Sequence, residues 1–251
     1  MLTPERHQLI IDEIEKHDVV KIQYLMNLTK ASESTIRRDL STLEARGYLK
    51  RVHGGASRLS DIRKEPDMLE KSSKNLHEKK KIAKEAASLL EEGDCIYLDA
   101  GTTTLQMIDF IDQEKDIIVV TNGVMHIEAL IKKGITFYLL GGHVKHKTGA
   151  IVGGSALTDI GRYRFDKSFI GVNGIHKEAG FTTPDPEEAL LKTKAVKQAK
   201  KAFVLADASK FGEMSFSAFA SLDEATIITA GSATHSFDNY QEKTVVKVVK
   251  T

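Results

Sequence analysis

The chain has 251 residues, of which 41% are hydrophobic and 28% charged, as is typical of a folded globular protein. Its formal net charge is +1, so the net charge indicates no particular class of binding partner. The single cysteine, Cys95, excludes a disulfide scaffold and favours a reducing compartment. No apolar stretch is long enough to span a membrane, and the N-terminus lacks a secretion-type apolar core, so we expect a cytoplasmic protein without membrane partners.

The first predicted domain spans residues 1–56 and has the pattern of a helix-turn-helix. Thr3 and Pro4 favour the start of a first helix, with the threonine as its cap. A second, short helix is expected at Val20 to Leu28, and residues 29–32 connect it to a third. Three helices with a tight link between the second and the third are typical of DNA-binding domains of this class.

The third helix presents an apolar face and a polar face. Ile36, Leu40 and Leu43 recur at helical spacing, and the opposite face carries arginines and small hydroxyls that suit phosphate and guanine contacts. An ordinary amphipathic surface helix is the alternative for this stretch alone. After Gly47, residues 48–56 predict a short basic strand and a Gly-Gly turn, which would form a wing. The candidate DNA-binding residues are Ser34, Thr35, Arg37, Arg38, Ser41, Arg51, His53 and Gly54.

The second predicted domain spans residues 76–251 and follows a predicted linker, residues 57–75, that lacks sustained periodicity. A helix is expected at Asn75 to Leu90, after which short apolar strands alternate with helices. This alternation predicts an α/β fold with a mostly parallel, Rossmann-like sheet covered on both faces. The predicted strands are Cys95–Asp99, Ile117–Thr121, Thr136–Leu140, Lys167–Gly171, Ala202–Ala206, Ala225–Thr229 and Thr244–Val249.

Polar turns follow several of these strands, at the sheet edge where such folds bind ligands. The turn at 99–104 offers backbone N–H groups and three threonine hydroxyls, which suit a phosphate or simply cap the next helix. The turn at 121–123 suits a sugar hydroxyl or is only a cap. The loop at 141–149 has two glycines and two lysines for a phosphate, or is a basic surface loop. His143 and His146 lie there without a cysteine or carboxylate cluster, so no metal site is predicted.

A resemblance to a known family rests on motifs spread over nearly the whole chain. The run Thr35-Ile-Arg-Arg-Asp-Leu40, then Leu43-Glu-Ala-Arg-Gly47 and Arg51-Val-His-Gly-Gly-Ala56, resembles the N-terminal domain of the DeoR family of bacterial transcription regulators. The later order Gly-Thr-Thr, Thr-Asn, Gly-Gly, Gly-Val-Asn-Gly, Glu-Ala and Ala-Asp-x-Ser-Lys is similar to the sensor domain of that family. That domain in turn resembles ribose-5-phosphate isomerase and the glucosamine-phosphate deaminases.

The resemblance implies a small-molecule effector, a phosphorylated sugar, and no cofactor. By this likeness residues 101–104 would hold the phosphate, and Lys210 would add a polar contact. Many family members have an arginine a few residues after the Gly-Gly, where this chain has Lys145. The candidate effector-binding residues are Asp99, Gly101, Thr102, Thr103, Thr104, Thr121, Asn122, Gly141, Gly142, Lys145, Asn173, Glu188, Asp207 and Lys210.

The function implied is a repressor of a sugar-utilisation operon that binds double-stranded operator DNA as a homodimer or homotetramer. The likeness of the whole sequence suggests a fructose operon, with fructose 1-phosphate or fructose 1,6-bisphosphate as effector. One alternative is a sugar-phosphate isomerase or deaminase with a DNA-binding appendage; the stretch Gly171-Val-Asn-Gly174 disfavours it, because it lacks the acid that the isomerases use for proton transfer. Another is a helix-turn-helix protein whose second domain only oligomerises.

Overall fold

The computed structural model describes residues 1–17, 19–52, 54–58, 62, 63, 65, 67–231 and 237–250. The chain divides into two compact units, Met1–Asp61 and Ile62–Thr251. Within the described part of the chain, no helix has both the length and the apolar character needed to cross a bilayer. The boundary lies inside the predicted linker, because residues from Ile62 onward make their contacts with the second unit.

The first unit is a three-helix winged domain. Its helices are α1 (Thr3–Lys16), α2 (Ile22–Thr29) and α3 (Glu33–Ala45), and its strands are β1 (Val19–Lys21), β2 (Lys50–Val52) and β3 (Gly55–Ser57). The strands form an antiparallel sheet in the order β1-β3-β2. The three predicted helices and the wing are therefore confirmed. Strand β1 was not predicted, and its residues Val20 and Lys21 were expected to be the first residues of the second helix.

Local chemistry explains the ends of these elements. The Ser32 hydroxyl caps α3 by accepting from the Thr35 backbone N–H at 3.3 Å. The predicted threonine cap of α1 is wrong, because α1 begins at Thr3 itself and the Glu5 carboxylate accepts from the Leu2 N–H at 3.1 Å. At the tip of the wing, Gly54 has φ +78°, a conformation that favours glycine.

The helices of the first unit enclose one apolar core. Ile36, Leu40 and Leu43 of α3, the residues that set its helical periodicity, are each at most 1% exposed. They pack with Ile10 of α1 and Leu25 of α2. Burial of this face fixes the rotation of α3 and so turns its polar face outward.

The second unit is built on a seven-stranded parallel sheet. Its strand order is β15-β14-β12-β9-β4-β5-β6. The strands are β4 (Cys95–Leu98), β5 (Ile118–Thr121), β6 (Thr136–Leu139), β9 (Phe165–Gly171), β12 (Ala199–Asp207), β14 (Thr226–Gly231) and β15 (Val246–Lys250). All seven were predicted, with boundaries that differ by a few residues, so the predicted parallel α/β sheet is confirmed.

Helices cover both faces of this sheet. They are α4 (Met68–Ser73), α5 (Leu76–Ser88), α6 (Thr102–Ile108), α7 (His126–Lys133), α8 (Gly154–Ile160), α9 (Pro186–Lys197) and α10 (Asp238–Gln241). Neighbouring residues of β9 show the two layers, since Phe169 packs in the apolar cluster with α5 and α6, and Ile170 packs in the cluster with α8 and α9.

Five further short strands were not predicted. They are β7 (His143–Val144), β8 (Ile151–Val152), β10 (Gly174–His176), β11 (Gly180–Thr183) and β13 (Ser217–Ala220). Strands β7 and β8 pair in the 141–152 region, and β10, β11 and β13 form a separate antiparallel sheet. These five stretches lie among glycines and polar loop residues and carry no sustained apolar run.

Candidate functional site

The exposed face of α3 carries the predicted DNA-binding side chains. Ser34, Arg37, Arg38 and Ser41 are exposed, and Thr35 is half-buried beside the capping hydroxyl of Ser32. Four of the five predicted residues on this helix therefore point into solvent, as required of groups that reach into a DNA groove.

The wing is tied to this helix through Arg51. Its guanidinium Nη1 donates to the Ser41 hydroxyl at 2.7 Å, and its backbone N–H donates to the Glu44 carboxylate at 2.8 Å. Arg37, Arg51, Val52 and Gly54 line a groove of about 420 Å³ between α3 and the wing. The structure thus brings Arg37 of the helix and Arg51 and Gly54 of the wing together at one groove, which the other predicted residues of α3 do not line. His53, also predicted, lies outside the described residues.

The opposite side of α3 is anchored by a buried carboxylate. Asp39, 5% exposed, accepts from Arg6 Nε at 2.5 Å and lies 3.0 Å from His7 Nε2. Burial alone would raise the pKa of Asp39, but the hydrogen bonds from Arg6 and His7 outweigh it and lower that pKa. The ionised carboxylate therefore locks α3 to α1 with its arginine face outward.

A cavity of about 60 Å³ lies in the second unit, against the turns that follow β4, β9 and β12. This is the ligand-binding edge expected for a parallel sheet. Half of the predicted effector-binding residues line it: Gly101, Thr102, Thr103, Asn173, Glu188, Asp207 and Lys210.

The three threonines after Gly101 have different environments. The Thr104 hydroxyl is fully buried and donates back to the Asp99 carbonyl at 2.6 Å, so it stabilises the turn and does not line the cavity. Thr102 and Thr103 line the cavity, and within the described residues their hydroxyls have no hydrogen-bond partner. Two free hydroxyls therefore face a prospective ligand.

Other predicted residues support the site from behind the cavity wall. The Thr121 hydroxyl donates to the Leu98 carbonyl at 2.6 Å, and Asn122 Oδ1 accepts from the Ala100 N–H at 2.8 Å. The Gly141 N–H donates to Asp159 at 3.1 Å, and a Cβ at Gly142 would lie 2.5 Å from the Val152 carbonyl oxygen. The sequence identified these positions, but in this structure their bonds are internal and none of the four lines the cavity.

Asp99 is paired with a lysine that the sequence analysis missed. Lys192 Nζ donates to Asp99 Oδ2 and to the Gly171 carbonyl at 3.0 Å, and the Gly171 N–H donates to Asp99 at 2.9 Å. Both side chains are almost fully buried, at 4% and 2% exposure. Burial raises the pKa of Asp99, and Lys192 works against that rise. The pair joins the ends of β4 and β9 to helix α9.

Lys145 is held by three carboxylates rather than open to the cavity. Its ammonium lies 2.7 Å from Glu188, 2.8 Å from Asp185 and 2.8 Å from Glu65. Burial opposes its charge, but these acids outweigh burial and raise the pKa of Lys145. Lys145 therefore neutralises Glu188 from behind while Glu188 lines the cavity.

Asp207 is likewise committed to protein partners. Its Oδ1 accepts from Asn75 Nδ2 at 3.0 Å and from the Ser209 N–H at 3.0 Å. Burial alone would raise its pKa, but Lys210, Ser209 and Asn75 together lower it. The carboxylate is thus ionised and bonded to protein groups through Oδ1. No described carboxylate lies within ion-pairing distance of the Lys210 ammonium.

Three lysines complete the cavity wall and were not predicted. They are Lys71 on α4, Lys79 on α5 and Lys192 on α9. Burial lowers the pKa of Lys71 and that of Lys79, as expected for ammonium groups that lack full compensation. A pattern for Lys79 existed in the sequence, because it precedes Ile82, Ala83 and Ala86 at helical spacing on the buried face of α5.

The cavity offers cations and hydroxyls rather than metal ligands. Four lysines and two carboxylates line it, and both carboxylates are bonded to protein groups. Among the described residues, no three His, Cys, Asp or Glu side chains are grouped to hold a metal ion. Asn173 lies in the stretch 171–174, where the resemblance to the isomerases would place an acid for proton transfer. Its Oδ1 accepts from the Thr183 hydroxyl at 3.2 Å, and its amide is not titratable.

Comparison with known proteins identifies both units. A model of the DeoR-like helix-turn-helix domain matches residues 6–61, and a model of the DeoR C terminal sensor domain matches residues 74–231. The chain is 78% identical over 250 residues to an "Uncharacterized HTH-type transcriptional regulator FruR" of Bacillus subtilis (strain 168), with 100% of each chain covered.

A second relative and a solved structure are more distant. The chain is 30% identical over 251 residues to the "Lactose phosphotransferase system repressor" of Staphylococcus aureus (strain NCTC 8325 / PS 47), covering 98% of this chain and 96% of the relative. Ribose 5-phosphate isomerase A from Methanocaldococcus jannaschii matches with 20% identity and a TM-score of 0.42 over 55% of each chain.

Proposed function

This chain belongs to the DeoR family of helix-turn-helix transcription regulators, and from that premise we propose that it represses a sugar-utilisation operon and is released from its operator by a phosphorylated sugar. It is a DNA-binding regulator and not an enzyme, since the relatives that cover its whole length are regulators. A relative named for a lactose phosphotransferase system supports the assignment to carbohydrate use.

The groove between α3 and the wing supports the operator-binding role. Arg37 and Arg38 on the exposed face suit phosphate oxygens and guanine edges, and the Arg51–Ser41 hydrogen bond orders the wing beside them. Operators of such proteins are commonly two-fold symmetric, so we propose a homodimer or homotetramer as the binding species.

The single observation that carries the effector proposal is the set of uncompensated donors in the cavity. Among the described residues, the hydroxyls of Thr102 and Thr103 have no hydrogen-bond partner, and Lys79 and Lys210 have no carboxylate within ion-pairing distance. The two lining carboxylates, Glu188 and Asp207, are each bonded to protein groups. A ligand that supplies only acceptors and negative charge, such as a phosphate, satisfies this wall best.

We propose a phosphorylated fructose, either the 1-phosphate or the 1,6-bisphosphate, as the first effector to test. The choice rests on the likeness of the whole sequence to regulators of fructose operons. The lysines and threonine hydroxyls that line the cavity support an anionic ligand such as the phosphate of this sugar.

The test is thermal unfolding of the full chain with phosphorylated sugars and with the corresponding free sugars. A ligand present at about 100 times its Kd stabilises the native state by roughly 2.7 kcal/mol, which shifts the melting temperature measurably. We expect stabilisation by a phosphorylated fructose and none by fructose. The same ligand should release a DNA duplex selected from a random-sequence pool. No shift with any phosphorylated sugar would refute the effector assignment.

Replacement of Thr103 by valine tests the cavity hydroxyls. Thr103→Val removes one free hydroxyl with little change of volume, so we expect unchanged operator affinity and a rise of roughly tenfold in the effector concentration needed for release. Thr158→Val, on the exposed side of α8, is the matched control. A normal effector response in Thr103→Val would show that this hydroxyl does not contact the ligand.

A further inference from the structure

The cavity is covered by a segment that the sequence presents as part of a linker. We call Asp67–Asn75, which contains α4, the strap. Its Met68 N–H donates to the Lys147 carbonyl at 3.0 Å, and Asn75 donates to Asp207 at 3.0 Å. Helix α4 also packs against α6, whose first residues line the cavity. The strap is thus fastened at both ends mainly by polar contacts.

Lys71 brings a charge from the strap into the cavity. Its side chain is 22% exposed and lines the cavity together with Met68. Its ion pair with Glu65 is long, at 3.5 Å, because Glu65 also pairs with Lys145 at 2.8 Å. Lys79 Nζ donates to the Lys71 carbonyl, which adds a second lysine at this point. An ammonium with so weak a partner in a largely buried place is poorly compensated.

The cavity is too small for a sugar phosphate unless part of its wall moves. Small-molecule sites typically enclose about 300–1,000 Å³, whereas this cavity has about 60 Å³. A sugar phosphate therefore fits only if part of the wall moves. The strands and helices α5 and α9 contribute side chains to the apolar clusters. The described contacts of the strap are hydrogen bonds, one long ion pair and the packing of α4 on α6. Movement of the strap would break these few contacts and would leave the apolar clusters of the sheet in place.

We propose that Lys71 is a direct contact of the anionic effector, and that the strap opens to admit this ligand and closes again on it through Lys71. The inference rests on the proposed function, since it assigns one more residue to the same site. It also gives the ligand a direct hold on the chain segment that follows the DNA-binding unit in sequence.

Lys71→Gln is the decisive variant, and Lys74→Gln is its matched control. Both remove one lysine charge from the same segment, but Lys74 is exposed and does not line the cavity. Because burial lowers the pKa of Lys71, its charged form disfavours folding at neutral pH, so Lys71→Gln should melt without ligand at the same temperature as the wild type or higher. A weaker ligand response then cannot be attributed to misfolding.

The experiment is thermal unfolding of the full chain with two probes, fructose 1-phosphate and inorganic phosphate, at matched ionic strength. For Lys71→Gln we expect the concentration that gives half of the full stabilisation to rise roughly 10- to 100-fold, the effect of losing one hydrogen bond to a charged group. For Lys74→Gln we expect a change of no more than about twofold.

The two probes separate failure of this inference from failure of the proposed function. If inorganic phosphate stabilises the wild type and Lys74→Gln but not Lys71→Gln, while no sugar phosphate exceeds it, Lys71 is an anion contact and the sugar assignment fails. If Lys71→Gln responds like the wild type to both probes, the inference is overturned. Absence of any phosphate effect on the wild type also overturns it.

Hydrogen exchange supplies a readout that a purely structural lysine would not change. Amides of the strap, including the Met68 N–H bonded to Lys147, should exchange more slowly in the wild type when ligand is bound. In Lys71→Gln at saturating ligand we expect this added protection to be lost. Equal protection in both proteins would show that the strap does not close on the ligand through Lys71.

Discussion

His126 makes the stability of the second unit depend on pH. The side chain is 1% exposed at the start of α7, and its Nδ1 lies 2.8 Å from the Thr121 hydroxyl. That hydroxyl also bonds to the Leu98 carbonyl and accepts from the Gly123 N–H at 3.0 Å, so it ties the ring to the end of β5. Burial lowers the pKa of His126 to about 4. The neutral imidazole is therefore the form that fits the fold.

The lowered pKa sets both the sign and the size of the effect. An unfolded histidine has a pKa of about 6.5, so the unfolded chain takes up this proton first as the pH falls. Stability should then decline below about pH 6.5 and level off below about pH 4. Between about pH 7.5 and pH 5 the loss due to this one group is about 2 kcal/mol.

The assay is urea unfolding followed by circular dichroism at several pH values, for the wild type and His126→Gln. Glutamine costs stability through altered packing, but that cost does not depend on pH. The difference between the two proteins in unfolding free energy should thus shrink by about 2 kcal/mol on going from about pH 7.5 to pH 5. A difference that stays constant over this range would refute the claim that His126 is buried in its neutral form.

Two further substitutions test the two sites. Arg38→Ala should weaken specific operator binding by at least about 1 kcal/mol in an anisotropy titration. Arg162→Ala removes the same charge from the second unit and should leave the affinity unchanged. Equal affinities for both variants would show that Arg38 does not contact the operator. Lys192→Met should destabilise the second unit by about 3–5 kcal/mol, because Asp99 keeps a buried charge without its cation. Adding Asp99→Asn to this variant should recover part of the lost free energy of unfolding. A loss below about 1 kcal/mol in Lys192→Met would contradict this account.

The sequence predicted best the elements whose periodicity is long. Helix α3 and the seven parallel strands combine an apolar pattern with flanking turn residues, and the structure has all of them. It missed several strands of two to four residues that lack a sustained apolar run and are defined by the strand they pair with. Strand β1 illustrates this: Val19–Lys21 pairs with Gly55–Ser57, and only glycine allows the close approach of residue 55 to the Val20 carbonyl.

The candidate effector site was predicted in part, for a physical reason. Turn residues such as Thr102, Thr103 and Asn173 stand out because glycine and hydroxyl clusters at strand ends are unusual. Lysines on helices do not stand out, since most of them are solvated. Lys79 begins a run of three lysines that resembles a surface stretch, and only its spacing from Ile82 and Ala86 marks it as facing inward.

The buried charges of this protein fall into two kinds, and the difference bears on function. Asp39 and Asp99 each have a close cationic partner and a further hydrogen-bonding group, and these bonds fix the position of a helix or strand end. Among the described residues, Lys71 has a long ion pair with Glu65 and Lys79 donates to a backbone carbonyl. Burial lowers the pKa of both lysines, although Glu65 and Glu188 work against it at Lys71 and Asp207 does so at Lys79. Buried ionisable groups with shifted pKa values cluster at functional sites, so Lys71 and Lys79 are the side chains at which the proposed anionic ligand is best tested.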